Sequence, residues 1–199
     1  MKLFSIFGLA LIAQTVSAHY IFNTLITEST NSTNAVRQPQ DSMPIHAYYS
    51  GEITCNVNSS PASETVEVKA GDRIGFHVDQ KLYHKGPVAI YLGQAPGKVA
   101  DWDGAGQRWF KIAEWGPTFN PFSFTSLNKD EFMTTIPKSI PSGKYLVRIE
   151  QAGLHLTGTL EFFVSCAQIK VTGGGNGKLS MVSIPGYIPK NDPSMMVST

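Results

Sequence analysis

The sequence is poor in several things at once, and each shortage removes a class of reading. Sixteen basic residues stand against fifteen acidic ones, a net charge of +1, so there is no electrostatic footprint for nucleic acid or an anionic membrane. Only two cysteines are present, Cys55 and Cys166, too few for a structural metal cluster. No HExxH, CxxC, EF-hand, GxSxG, phosphate-loop or dinucleotide pattern occurs, and the fifteen acids give no reason to select a hydrolytic pair. No segment keeps a helical period over three or more turns, and no internal repeat is visible. After the first eighteen residues, no apolar run approaches the ~20 residues of a membrane span.

Those eighteen residues, MKLFSIFGLALIAQTVSA, carry Lys2, then a mostly apolar run, then Val16, Ser17 and Ala18. That is the three-part pattern of a secretory signal peptide, with cleavage expected between Ala18 and His19. The remainder, residues 19–199, suits a single domain with a core of its own. In a secreted chain the two cysteines point to one disulfide closing a loop of about 110 residues, worth ~4 to 5 kcal/mol in the chain-entropy model. The triplets at Asn31 and Asn58 fit glycosylated surface loops.

Short runs with a period of two fill the rest. In ETVEVKAGDRIGFHV, Val66 and Val68 alternate with Glu67 and Lys69, and Ile74, Phe76 and Val78 resume the period after a turn, which reads as a hairpin or a corner. PVAIYLGQ, WFKIAEW, FMTTIPKSIPSGKYLVRIEQ and GTLEFFVSCAQIKVTGG follow the same grammar, punctuated by twelve prolines and eighteen glycines. Many short strands with turns between them predict an all-β sandwich. Residues 24–44 read as a long loop, and the Gly- and Pro-rich tail from Gly173 as an extended surface segment.

Five histidines remain as candidates for chemistry: His19, His46, His77, His84 and His155. Once the signal is removed, His19 offers an α-amino nitrogen and an imidazole nitrogen from one residue. A second histidine would complete a three-nitrogen site whose donor set suits copper. His77 falls within a strand period and His46 in a loop, and neither is assigned a role.

The ordered set HYIF (19–22), GEITCN (51–56), VKAGDRI (68–74), HKGPVAIYL (84–92), WFKI (109–112), IPSGKYLVRIEQAGLH (140–155), FFVSCAQIKVTGGG (162–175) and IPGYIPKNDP (184–193) resembles the fungal lytic polysaccharide monooxygenases of auxiliary activity family nine, formerly glycoside hydrolase family 61. The resemblance covers nearly the whole of residues 19–199. It implies an immunoglobulin-like or fibronectin-like β-sandwich with long loops, secreted and acting as a monomer, with one copper ion per mature chain. The ion would be held by the amine and imidazole of His19 and by His84. The disulfide would join Cys55 to Cys166, and His155 would donate a hydrogen bond beside the oxygen-binding position. Tyr187 would lie against cellulose or a related β-glucan. The partners implied are that polysaccharide, an external electron donor, and oxygen or hydrogen peroxide.

Two residues depart from the family pattern. Three and five positions before Cys166 the family carries tyrosine and glutamine, whereas this chain has Phe163 and Glu161. Strand alternation puts both on one face, with Phe162, Val164 and Cys166 on the other. Phenylalanine removes a phenol oxygen near the metal, as in related bacterial-type copper monooxygenases. An ionised carboxylate at Glu161 removes amide donors and changes the field at the metal. A non-catalytic copper- or polysaccharide-binding protein on the same scaffold is the alternative this leaves open.

Overall fold

The computed structural model describes residues 19–156 and 158–193; the signal-peptide reading of residues 1–18 lies outside them. Among the described residues the chain forms thirteen strands: β1 (Thr24–Thr27), β2 (Asn31–Ser32), β3 (Val36–Arg37), β4 (Val66–Lys69), β5 (Arg73–His77), β6 (Val88–Gln94), β7 (Gly106–Trp115), β8 (Pro117–Phe119), β9 (Phe122–Phe124), β10 (Glu131–Thr135), β11 (Gly143–Leu156), β12 (Thr159–Thr172) and β13 (Val182–Ile184). Single 3₁₀ turns at Gly51–Ile53 and Val99–Asp101 are the helical elements described.

The strands make the expected all-β sandwich. One sheet runs β10-β5-β1-β2, and the larger runs β13-β7-β6-β11-β12, with β3 and β4 both along the outer edge of β12. The period of two in the sequence is what builds the core. Ile74 and Phe76 of β5, Leu25 of β1 and Phe132 of β10 face Ile90, Leu92, Val147, Ile149, Ala167 and Ile169 of the larger sheet, all buried. Each such aliphatic or aromatic side chain contributes about 1.5–3 kcal/mol relative to exposure.

Two readings of the sequence are refined. Residues 24–44 are not a single long loop, because they hold β1, of four residues, and the two-residue strands β2 and β3. The run from Val66 to His77 is the corner and not the hairpin: β4 pairs in parallel with β12, while β5 joins the other sheet between β1 and β10. The tail is likewise anchored, since β13 pairs with β7 and Ile184 is fully buried.

The outer face of the larger sheet carries a second apolar cluster, including Ile53, Trp102, Trp109, Leu146, Phe162 and Val164, covered by loops. Cys55 and Cys166 are disulfide-bonded within it, with Cα atoms 5.2 Å apart. On the same face Arg148, with no exposed surface, donates from Nη2 to the Ile53 carbonyl at 2.7 Å and from Nε to the Thr54 carbonyl at 2.9 Å. Its Nη1 lies 2.8 Å from Glu150 Oε2. The hairpin β8–β9 stands apart as a two-stranded ribbon with Phe119 and Phe122 exposed.

Candidate metal centre

Four segments converge at one end of the sandwich. The start of the described chain is tied down by Gln80, whose Nε2 donates to the His19 carbonyl at 2.7 Å, and by Ile21, whose N–H donates to Asp79 Oδ1 at 3.0 Å. The loop after β5 therefore holds both His19 and, four residues beyond Gln80, His84. That loop then runs beside the end of β11, where Ala152 N–H donates to Pro87 O at 3.1 Å and Leu154 N–H to Lys85 O at 2.8 Å. The close approach explains the glycine in His84-Lys85-Gly86-Pro87: a Cβ at Gly86 would lie 1.8 Å from the Ala152 carbonyl oxygen.

The strand pair β11–β12 supplies the rest. Gln151 sits opposite Phe163 and Gly153 opposite Glu161; beyond them the register shifts by one residue before Leu156 meets Thr159. This bulge brings His155 over the pair. Its Nε2 lies 3.2 Å from Glu161 Oε2, and its ring stacks on that of His84 with centroids 3.6 Å apart and planes 11° apart. The Phe163 ring, buried, is near both histidine rings, 5.8 Å from His84 and 6.0 Å from His19 by ring centroid. It packs on Tyr20 at 4.4 Å and presents no donor atom. Glu161 and Phe163 thus share a face, while Phe162, Val164 and Cys166 belong to the opposite cluster.

The side-chain donors that come together are His84, His155 and Glu161, one ligand atom from each, all within 4.8 Å of one another. His19 is not part of that group. While Ala18 precedes it, its nitrogen is an amide and not an amine. Glu161 is only 7% exposed, yet its Oε2 makes no well-aligned hydrogen bond with any described residue, and neither does His155 Nδ1. A buried carboxylate oxygen in that condition costs free energy unless something else meets it. Its charge is felt nearby: the Tyr83 hydroxyl is pushed above its ordinary range by burial and then by Glu161. Tyr20 is raised more strongly, chiefly by burial.

His46 and His77 stand outside this group. His46 lies against the Leu160 carbonyl, with Nδ1 at 3.1 Å, and His77 is a strand residue paired with Thr24 and Glu131. Tyr187 also lies apart from the histidines. It is half-buried on the outer face, its hydroxyl donating to Glu150 Oε2 at 2.5 Å and its ring edge-on to Tyr91. Burial pushes the hydroxyls of Tyr187 and Tyr91 far up, and the Arg148 guanidinium opposes that at both.

Gln151 is a site residue that the sequence reading missed. It is fully buried, accepts from the Tyr20 hydroxyl, and donates from Nε2 to the His84 carbonyl at 2.7 Å, so it joins three of the converging segments. The available signal was its place in VRIEQ, where the period of two puts an amide at an inward position after Val147 and Ile149.

Residues 19–199 match the family model for Auxiliary Activity family 9 (formerly GH61). The chain is 42% identical over 199 residues to AA9 family lytic polysaccharide monooxygenase E of Podospora anserina, covering 96% of this chain and 67% of that one. It is 42% identical over 205 residues to AA9 family lytic polysaccharide monooxygenase H of Malbranchea cinnamomea, covering 96% and 89%. Among solved structures it resembles a cellulose-active polysaccharide monooxygenase from M. thermophila, with a TM-score of 0.80 and 26% identity, covering 89% of this chain and 90% of that one.

Proposed function

The chain belongs to Auxiliary Activity family 9, the lytic polysaccharide monooxygenases, and from that membership we propose that, once secreted and cleaved before His19, it is a copper-dependent enzyme that cuts a β-1,4-glucan oxidatively. The observation that carries the reading is the convergence of His19, His84, His155 and Glu161 around the Phe163 ring at one end of the sandwich.

The donors fit the ion. Cleavage frees the His19 amine, and that amine with the imidazoles of His19 and His84 makes a nitrogen set suited to copper. The bound metal would supply one-electron redox chemistry and activation of oxygen or peroxide. The net change is hydroxylation of a C–H bond at C1 or C4 beside the glycosidic oxygen, after which the hydroxylated carbon expels that oxygen. With oxygen as oxidant an external reductant supplies two electrons and the second oxygen atom leaves as water; with peroxide no further electrons are consumed.

This chain's own residues then have distinct tasks. Phe163 keeps one side of the centre apolar and dry. Gln151 holds the His84 backbone through its carbonyl. With a small turn of either side chain, His155 Nε2 and Glu161 Oε2, 3.2 Å apart, would share a proton and deliver it beside the metal. A neutral polysaccharide agrees with the near-zero net charge. Tyr187 can meet sugar only with the part of its ring left exposed, because its hydroxyl is held inward. Phe119 and Phe122 offer a second apolar surface for pyranose faces. Their hairpin closes with Thr125 N–H on Gly116 O, and the next residue, Ser126, donates to Gly86 O at 2.6 Å, so it springs from the His84 end.

The test is direct. The mature chain is loaded with copper, given a reductant and cellulose or another β-glucan, and the soluble products are weighed by mass spectrometry. Oxidised oligosaccharides are expected. Bound copper with no oxidised product across several glucans would favour the non-catalytic binding protein.

A further inference from the structure

We infer that His84, His155 and Glu161 form a metal-binding set in their own right, two imidazoles and one carboxylate, which takes a borderline divalent cation such as zinc or cobalt and needs no free amino terminus. The site goes beyond the copper chelate proposed above, because it shares only His84 with it.

Three observations support it. First, the ligand atoms lie within 4.8 Å of one another before any ion is present. Second, the His155 Nε2 to Glu161 Oε2 distance of 3.2 Å already matches the edge of about 3.4 Å between two ligands of a tetrahedral zinc ion. Third, Glu161 is more than nine-tenths buried with an oxygen that no described residue hydrogen-bonds, and His155 Nδ1 is in the same condition. A divalent cation meets the carboxylate's charge directly, which an imidazole at its edge does only in part.

Two nitrogens and a carboxylate oxygen suit zinc and similar divalent ions, whereas soft Cu(I) gains little from the carboxylate. The stacked rings say what must move. Imidazole lone pairs lie in the ring plane, so nearly parallel rings 3.6 Å apart cannot both aim at one point. The ion therefore turns one ring out of the stack, and the ring-proton signals of both histidines should shift on binding. Because His84 is common to both sets, a chain that has taken zinc must release it before His84 can complete a copper site with His19.

The experiment uses a chain carrying one extra residue before His19, which blocks the amine. Cobalt(II) is titrated by its visible absorption bands and zinc by calorimetry. One ion per chain is expected. Glu161→Gln and His155→Ala should each weaken it by more than the roughly 10- to 100-fold that loss of a residue outside the coordination sphere costs. His46→Ala, outside the set, should not change it, and circular dichroism confirms that each variant is folded. Absence of cobalt and zinc binding in the blocked chain, or unchanged affinity in folded Glu161→Gln, overturns the inference. Copper titration of the same chains separates the two readings: tight copper binding that survives the blocked amine overturns the His19 chelate and leaves this cation site standing.

Discussion

Two glutamates on neighbouring strands are equally buried, 7% exposed each, and their surroundings could hardly differ more. Glu150 of β11 lies on the outer face of the larger sheet, 2.8 Å from the guanidinium of fully buried Arg148 and accepting the Tyr187 hydroxyl. Arg148 in turn is held by the Ile53 and Thr54 carbonyls. Burial alone would lower the Arg148 pKa, but Glu150 together with the hydroxyls of Tyr187 and Tyr91 outweighs it, so the guanidinium stays charged. Glu161 of β12 lies on the opposite face at the end of the sandwich, beside His155, with an oxygen that no described residue hydrogen-bonds. With a guanidinium and a phenol both on its Oε2, Glu150 acts as a cross-link. A carboxylate left half-satisfied at the meeting point of three histidines is available for chemistry.

The comparison can be broken most forcefully from the Glu150 side. Replacing both Cys55 and Cys166 by alanine opens a loop of 111 residues beneath the Arg148 cluster and should cost about 4–5 kcal/mol in unfolding free energy, read by denaturant titration. Arg148→Met leaves Glu150 buried without its cation. A loss of about 3–5 kcal/mol is expected, while metal binding by the folded protein stays as it was.

Glu161→Gln is the complementary change. Its stability should move by no more than about 1 kcal/mol, because a half-satisfied carboxylate contributes little to folding. Its metal affinity and the spectroscopic signature of bound copper should both change. A large loss of stability in Glu161→Gln with unaltered metal binding would reverse the assignments of the two glutamates.

The smallest effect is alkaline. Tyr20, Tyr91 and Tyr187 are all raised above their ordinary value of 10.0, first by burial. Their neutral forms are favoured in the folded state, so their contribution is fully present below pH 10 and declines as pH rises past it, where the unfolded chain ionises first. A thermal midpoint that falls above pH 10 is the expected reading. Glu161→Gln should soften only the Tyr20 share, since Glu161 is a minor cause there and absent at the other two.

How much of this was legible in the sequence follows from what a period of two can carry. The runs from Val88 to Gln94 and from Thr159 to Thr172 announced themselves as strands and put Glu161 and Phe163 on one common face. Strands of two residues such as β2 and β3 have no period to show, and the Val66–His77 corner could not be told from a hairpin because alternation does not say which sheet a strand joins. His19, His84, His155, Glu161 and Phe163 were named through resemblance and alternation. Gln151 and the Arg148–Glu150 pair were not, because polar residues inside a strand read as solvent-facing until both sheet faces are known to be covered.

The proposed copper centre at the sandwich end is tested most directly by copper titration of two otherwise identical chains, one beginning at His19 and one with a single residue before it. Tight one-to-one binding in the first that is lost in the second is the expected result. Equal affinity in both would contradict a centre built on the His19 amine.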